Sequence, residues 1–161
     1  MSEEAKPEIE GGCGCGTVRY RLKAKPIIVH CCHCSWCQRE SGAAFAVNAF
    51  IEATQVELLR GEPVPSTLPS LSGKGQTVWR CPDCGVTVWS NYAGAGSKFN
   101  FVRVGTLDDP SRAPPDIHIY TSTKQPWVIL PEGVPAVPEF YKPADIWPAE
   151  GLARFKAARA R

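Results

Sequence analysis

A single, mainly β domain with little helix is predicted by three features of the sequence. Short β-branched and aromatic runs recur along it, turn residues separate them, and eight cysteines fall into close groups. At 161 residues the chain is long enough to bury one hydrophobic core and short for two. Hydrophobic residues make up 43% and charged residues 21%, a balance that excludes disordered and collagen-like chains.

Taken in order, residues 1–8 read as a polar N-terminal tail. Residues 17–22 (Thr-Val-Arg-Tyr-Arg-Leu) alternate with a period of two, residues 27–29 are a β-branched run, and residues 45–50 carry a further strand pattern. Strands are also expected over residues 77–79, 86–90, 99–104 and 117–120, separated by Gly73, Gly75, Asp108-Asp109-Pro110 and Pro114-Pro115. Helix is expected only in a short piece after Cys37, through Gln38-Arg39-Glu40, and over residues 149–160. That last stretch reads as a surface helix or frayed tail rather than a nucleic-acid arm. The domain proper is placed at residues 9–142, with residues 143–161 as a C-terminal extension.

No stretch approaches the length of apolar sequence a membrane span requires, and Met1-Ser2-Glu3-Glu4 is acidic where a signal peptide would be basic. The expectation is a soluble, cytoplasmic protein. A formal charge of +2 gives no field suited to nucleic acid or a membrane surface.

The cysteines carry the chemistry. Cys13-Gly14-Cys15 places two thiols on one face of an extended segment, and Cys81-Pro82-Asp83-Cys84-Gly85 does the same through a turn preset by Pro82 and released by Gly85. Together they offer four thiolates, the closed tetrahedral set of structural Zn²⁺. Buried free cysteines or a disulfide pair are the alternatives, and the turn chemistry favours metal.

A second set, Cys32-His33-Cys34-Ser35-Trp36-Cys37, supplies three thiols from one segment and no second pair to complete a tetrahedron. Three protein ligands and an exchangeable fourth position is the arrangement of catalytic zinc. His30, Cys31 and His33 compete as a fourth ligand. In strand geometry Cys31 and His33 face away from Cys32 and Cys34 while His30 shares their face, which leaves His30 as a candidate ligand or proton shuttle. Disulfide exchange at Cys34-Ser35-Trp36-Cys37 is the competing chemistry, but no βαβ pattern surrounds the motif.

These motifs, with Gly16, Gln38-Arg39, Ser41-Gly42-Ala43, residues 104–110 (Val-Gly-Thr-Leu-Asp-Asp-Pro), His118-Ile119-Tyr120 and Pro126-Trp127, resemble the glutathione-dependent formaldehyde-activating enzyme family, also called the CENP-V/GFA domain. The resemblance covers roughly residues 10 to 142. It implies packed antiparallel sheets organised around two zinc ions, one structural on Cys13, Cys15, Cys81 and Cys84, one catalytic on Cys32, Cys34 and Cys37. It further implies a carbon-sulfur lyase that interconverts S-hydroxymethylglutathione with glutathione and formaldehyde, so the expected partners are a small thiol such as glutathione and an aldehyde. A lyase for another thiol adduct, or a non-enzymatic zinc-binding module, would share the same metals. Arg39, Lys98 and Arg103 are conceivable partners for glutathione carboxylates, and Trp36, Trp79 and Trp89 could line a pocket or belong to the core.

Overall fold

The computed structural model describes residues 8–161, so the expected N-terminal tail lies, apart from Glu8, outside the described residues. The strands in chain order are β1 (Ile9–Gly12), β2 (Arg19–Leu22), β3 (Ile28–Cys32), β4 (Ala46–Glu52), β5 (Val56–Arg60), β6 (Val64–Leu68), β7 (Gln76–Arg80), β8 (Thr87–Tyr92), β9 (Phe99–Arg103) and β10 (Ile117–Ile119). The helices are α1 (Ser35–Ser41), α2 (Pro143–Ile146) and α3 (Ala149–Arg159). A small sheet runs β1-β2-β5 and a large one β10-β3-β4-β9-β8-β7-β6. The expected mainly β architecture of two antiparallel sheets is present, with one exception: β10 pairs parallel to β3, setting His118 beside Cys31.

The period of two on the central strands builds two cores. On β4, Val47, Ala49 and Ile51 join Val18, Tyr20, Leu22, Val88 and Val102 in one cluster, while Ala46 and Phe50 join Ile28, Phe99, Ile117 and Trp147 in the other. Cys32, Cys34 and Cys37 belong to the second cluster.

Three strands were not evident in the sequence. β1 is Ile-Glu-Gly-Gly, but Gly11 is required by close approach: a Cβ there would lie 2.5 Å from the Thr106 carbonyl oxygen and 2.6 Å from the Tyr20 hydroxyl. β6 contains Pro65 and is tolerated because it is the edge strand of the large sheet. β5, Val-Glu-Leu-Leu-Arg, has no alternation and forms an edge of the small sheet.

The C-terminal extension docks on the large sheet. Arg154 of α3 donates to both carboxylate oxygens of Glu52, at 2.9 and 2.6 Å, and to the Lys25 carbonyl at 2.7 Å. Gly151, at a helical position where glycine costs about 1 kcal/mol, lets α3 approach the chain just before β3: a Cβ there would meet Ile27 Cγ2 at 3.0 Å. Phe155 then reaches Phe50, Phe99 and Trp147. No helix among the described residues is long and apolar enough to cross a membrane.

Candidate functional site

The first cysteine set converges as its spacing predicts. Cys13 and Cys15 lie in the turn between β1 and β2, Cys81 and Cys84 in the turn between β7 and β8, and all four sulfurs lie within 4.8 Å of one another. The Cys13–Cys15 and Cys15–Cys81 sulfur separations are 3.6 and 3.7 Å. A tetrahedron with Zn–S bonds of about 2.3 Å has edges of about 3.8 Å, so the donors match that ion. Backbone N–H groups of Val18 and Asp83 donate to Cys13 and Cys81 at 3.3 and 3.4 Å, and Gly85, at φ 76°, closes the turn. Burial raises the Cys13 thiol pKa, but the bonds from Val18, Cys81 and Cys15 outweigh it and bring it down to about 6. This cluster can hold a metal and would then tie the small sheet to the large one.

Cys32, Cys34 and Cys37 come together at the junction of β3 and α1, all buried and with sulfurs within 4.8 Å of one another. The helix begins earlier than the sequence suggested because Cys34 is its N-cap: at φ −66° and ψ 154° its sulfur accepts from the Cys37 N–H at 3.3 Å. The hydrogen bonds it accepts from Cys32 and Cys37 hold the Cys34 thiol down to about 3, against its burial. Cys32 is pushed up by donating to Cys34 and Cys37 and by burial, so the cluster binds its protons unequally. Among the described residues no fourth Cys, His, Asp or Glu joins this group.

The three thiols open onto a cavity of about 400 Å³, also lined by His30, Trp36, Phe50, Tyr120 and Trp147. A family model described as glutathione-dependent formaldehyde-activating enzyme matches residues 8–123. The chain belongs to that family. No curated protein matches it. Among solved structures it is similar to a Rhodobacter sphaeroides protein, 20% identical over 62% of this chain and 87% of that one, with a TM-score of 0.45.

In this member of the glutathione-dependent formaldehyde-activating enzyme family, the facing argument for the residues around Cys32 holds. Cys31 and His33 turn away from the cavity and group with His118, with Cys31 Sγ 3.6 Å from His33 Nε2 and His33 Nε2 2.9 Å from His118 Nδ1. Burial pushes the Cys31 thiol up to about 12, while burial and the nearby His118 and Lys124 bring His33 down to about 4, which keeps both neutral. His30 does share the cavity face, and burial pushes it down to about 4. Its Nε2 meets the Tyr141 hydroxyl, which accepts from Trp147 Nε1 at 2.7 Å. An indole N–H can only donate, so the Tyr141 oxygen accepts from Trp147 and its own proton is free for His30 Nε2, an assignment that puts the imidazole proton on Nδ1.

The three cations considered for glutathione are elsewhere. Arg39 is exposed on α1, and Lys98 donates to the carbonyls of Arg159 and Arg161. Arg103 is buried against Asn48, Ser90 and Glu40. Of the tryptophans, Trp36 lines the cavity, Trp89 is core and Trp79 donates to Asn91 at 2.7 Å. Sequence reasoning missed Asn48, Phe140, Tyr141, Trp147 and Phe155. The last four lie beyond the family match, and no local periodicity signals their return over the cysteines. Asp108 and Asp109 serve turns, the first pairing with Arg19 at 2.5 Å and the second capping Ser111.

Proposed function

We propose that the protein is a zinc-dependent carbon-sulfur lyase acting on a thiol–aldehyde adduct, of which S-hydroxymethylglutathione is the family's example, with Cys32, Cys34 and Cys37 as catalytic zinc ligands. The observation that carries this reading is the trio of buried, convergent thiols without a fourth side-chain donor, facing a cavity of about 400 Å³. Cys13, Cys15, Cys81 and Cys84 would hold a second, structural zinc. Zinc at the three-thiol site would supply an exchangeable position for a substrate sulfur as thiolate, together with Lewis acidity toward an aldehyde oxygen.

In the lyase direction the adduct's C–S bond breaks, its electron pair goes to sulfur, and the hydroxyl oxygen loses its proton as it becomes the aldehyde carbonyl. Three anionic cysteine ligands give the site a formal charge of about −1, so stabilising and orienting the departing thiolate outweighs carbonyl polarisation. Asn48 lines the same cavity and is oriented by Arg103, which donates to its Oδ1 and leaves the amide N–H₂ as the donor for the oxygen. His30, with Nε2 accepting from Tyr141 and its proton on Nδ1, offers the cavity wall a donor rather than a base, so the hydroxyl proton ends on the released sulfur and the products are a thiol and an aldehyde. Burial within the aromatic cluster limits water around the reacting atoms.

The test is exchange of formaldehyde between free thiol and hydroxymethyl adduct, followed by NMR. Wild type should accelerate the exchange and Cys34→Ser should reduce it to the uncatalysed rate, with the β-sheet circular dichroism unchanged. Equal acceleration by both proteins contradicts the assignment.

A further inference from the structure

The cavity beside the three thiols is poorly suited to glutathione. That tripeptide brings two carboxylates and an ammonium, yet none of the described residues lining the cavity is Lys, Arg, Asp or Glu. Burying an unpaired carboxylate is strongly unfavourable, and such groups are normally met by Arg, Lys or several N–H donors. The candidate cations are committed elsewhere, Arg103 to Glu40 and Asn48 and Lys98 to the end of α3. The polar groups on the wall, such as Ser70, Ser72 and Gln76, are neutral.

What the wall does offer is aromatic surface. Phe50 stands at the centre, with ring centroids 4.8 Å from Phe101, 5.4 Å from Trp147 and 6.0 Å from Phe155. Phe140 closes the side next to His30, 5.8 Å from its ring. Tyr120 also lines the cavity and is the one non-glycine among the described residues with positive φ, at 54°. That backbone conformation is unfavourable for an L-residue and is held here by the Tyr120 N–H bond to the Glu139 carbonyl at 2.8 Å. Phe140, Trp147 and Phe155 come from the segment beyond residues 8–123, so the apolar wall is built from both the family-matched part of the chain and the part outside it.

We propose that the sulfur handled at Cys32, Cys34 and Cys37 is carried on an uncharged, apolar body, an aromatic thiol or its hydroxymethyl adduct, and that glutathione is a poor substrate. The inference rests on the lyase reading and narrows it. An aryl or benzyl group stacks among Phe50, Phe101, Trp147 and Phe155 while its sulfur meets the cysteine cluster, and burial of that group supplies the affinity that charge pairing supplies elsewhere.

The experiment compares phenylmethanethiol, benzyl alcohol and glutathione on the purified full chain. Binding is read from the fluorescence of Trp36 and Trp147, which line the cavity, and formaldehyde exchange from NMR. Phenylmethanethiol should bind at least tenfold more tightly than glutathione and exchange faster, with benzyl alcohol binding weakly in competition with it. Phe155→Ala should weaken phenylmethanethiol at least fivefold without affecting glutathione. Leu71→Lys places a cation on the cavity wall at a residue 53% exposed and should narrow the preference for phenylmethanethiol over glutathione. Equal or tighter binding of glutathione by wild type, with exchange intact, overturns the apolar-substrate inference and leaves the lyase reading standing. Preferential phenylmethanethiol binding without exchange of either thiol supports the apolar cavity and removes the lyase.

Discussion

The two cysteine clusters use the same donor chemistry and occupy opposite situations in the fold. Cys13, Cys15, Cys81 and Cys84 come from two turns belonging to different sheets, and Cys15 and Cys84 are exposed. Cys32, Cys34 and Cys37 come from one strand–helix junction, are buried, and face a cavity. A metal on the first cluster closes a long loop and joins two layers, so its binding energy becomes folding energy. One on the second cluster joins residues that β3 and α1 already bring together, so its binding energy is free to serve a ligand. Under the proposed reading, topology more than ligand identity separates a structural cluster from one that meets a ligand.

Substitutions can break or sharpen that contrast. The largest effect is expected from Cys81→Ser, which removes a buried member of the staple: structural zinc can contribute on the order of 10 kcal/mol, so the variant should lose cooperative thermal unfolding. Cys34→Ser should lower activity at least a hundredfold, about 3 kcal/mol in the barrier, while thermal denaturation shows the melting temperature falling by only a few degrees.

A finer test addresses Glu40, which ties the two clusters together. Its carboxylate accepts from Arg80, next to Cys81, from Thr87, and from Arg103 against α1, at 3.4, 2.8 and 3.2 Å. The Glu40 and Arg103 side chains are 6% and 10% exposed, so Glu40→Gln leaves a buried guanidinium without its counter-charge and should cost about 3 kcal/mol in denaturant unfolding. Retention of full stability would show that the clusters are held independently.

The smallest effect lies between the sheets at Tyr20, whose hydroxyl meets Thr106 at 2.6 Å. Burial pushes its pKa up to about 12, against the bond to Thr106. Folded-state Tyr20 therefore keeps its proton where the unfolded chain ionises, and its contribution, complete below about pH 10, is lost as pH rises toward 12. Tyr20→Phe should cost about 1 kcal/mol at pH 7 and flatten the alkaline decline, measured by urea unfolding across pH.

Much of the site was legible because metal ligands and strand faces obey short-range rules. Cys-x-Cys and Cys-x-x-Cys fix which sulfurs meet, and the alternation through His30, Cys31 and Cys32 separated the cavity face from the Cys31–His33–His118 face. Seven strands showed themselves through β-branched and aromatic runs. β1 and β6 did not, because Gly11 answers to a contact with Tyr20 and Thr106 and Pro65 to an edge position, both set by tertiary neighbours. The aromatic wall was illegible for the same reason: Trp147 and Phe155 sit in a segment whose alanine and basic residues read as a surface helix or tail, and only docking through Arg154 and Glu52 turns them inward.

The measurement that tests the account most directly is zinc content, by mass spectrometry under native conditions, of protein purified without added metal, wild type beside Cys34→Ser. The account predicts two zinc ions in wild type and one in a folded Cys34→Ser, with phenylmethanethiol shifting the mass of wild type alone. Two ions retained by Cys34→Ser, or none bound at the three-cysteine site of wild type, would contradict it.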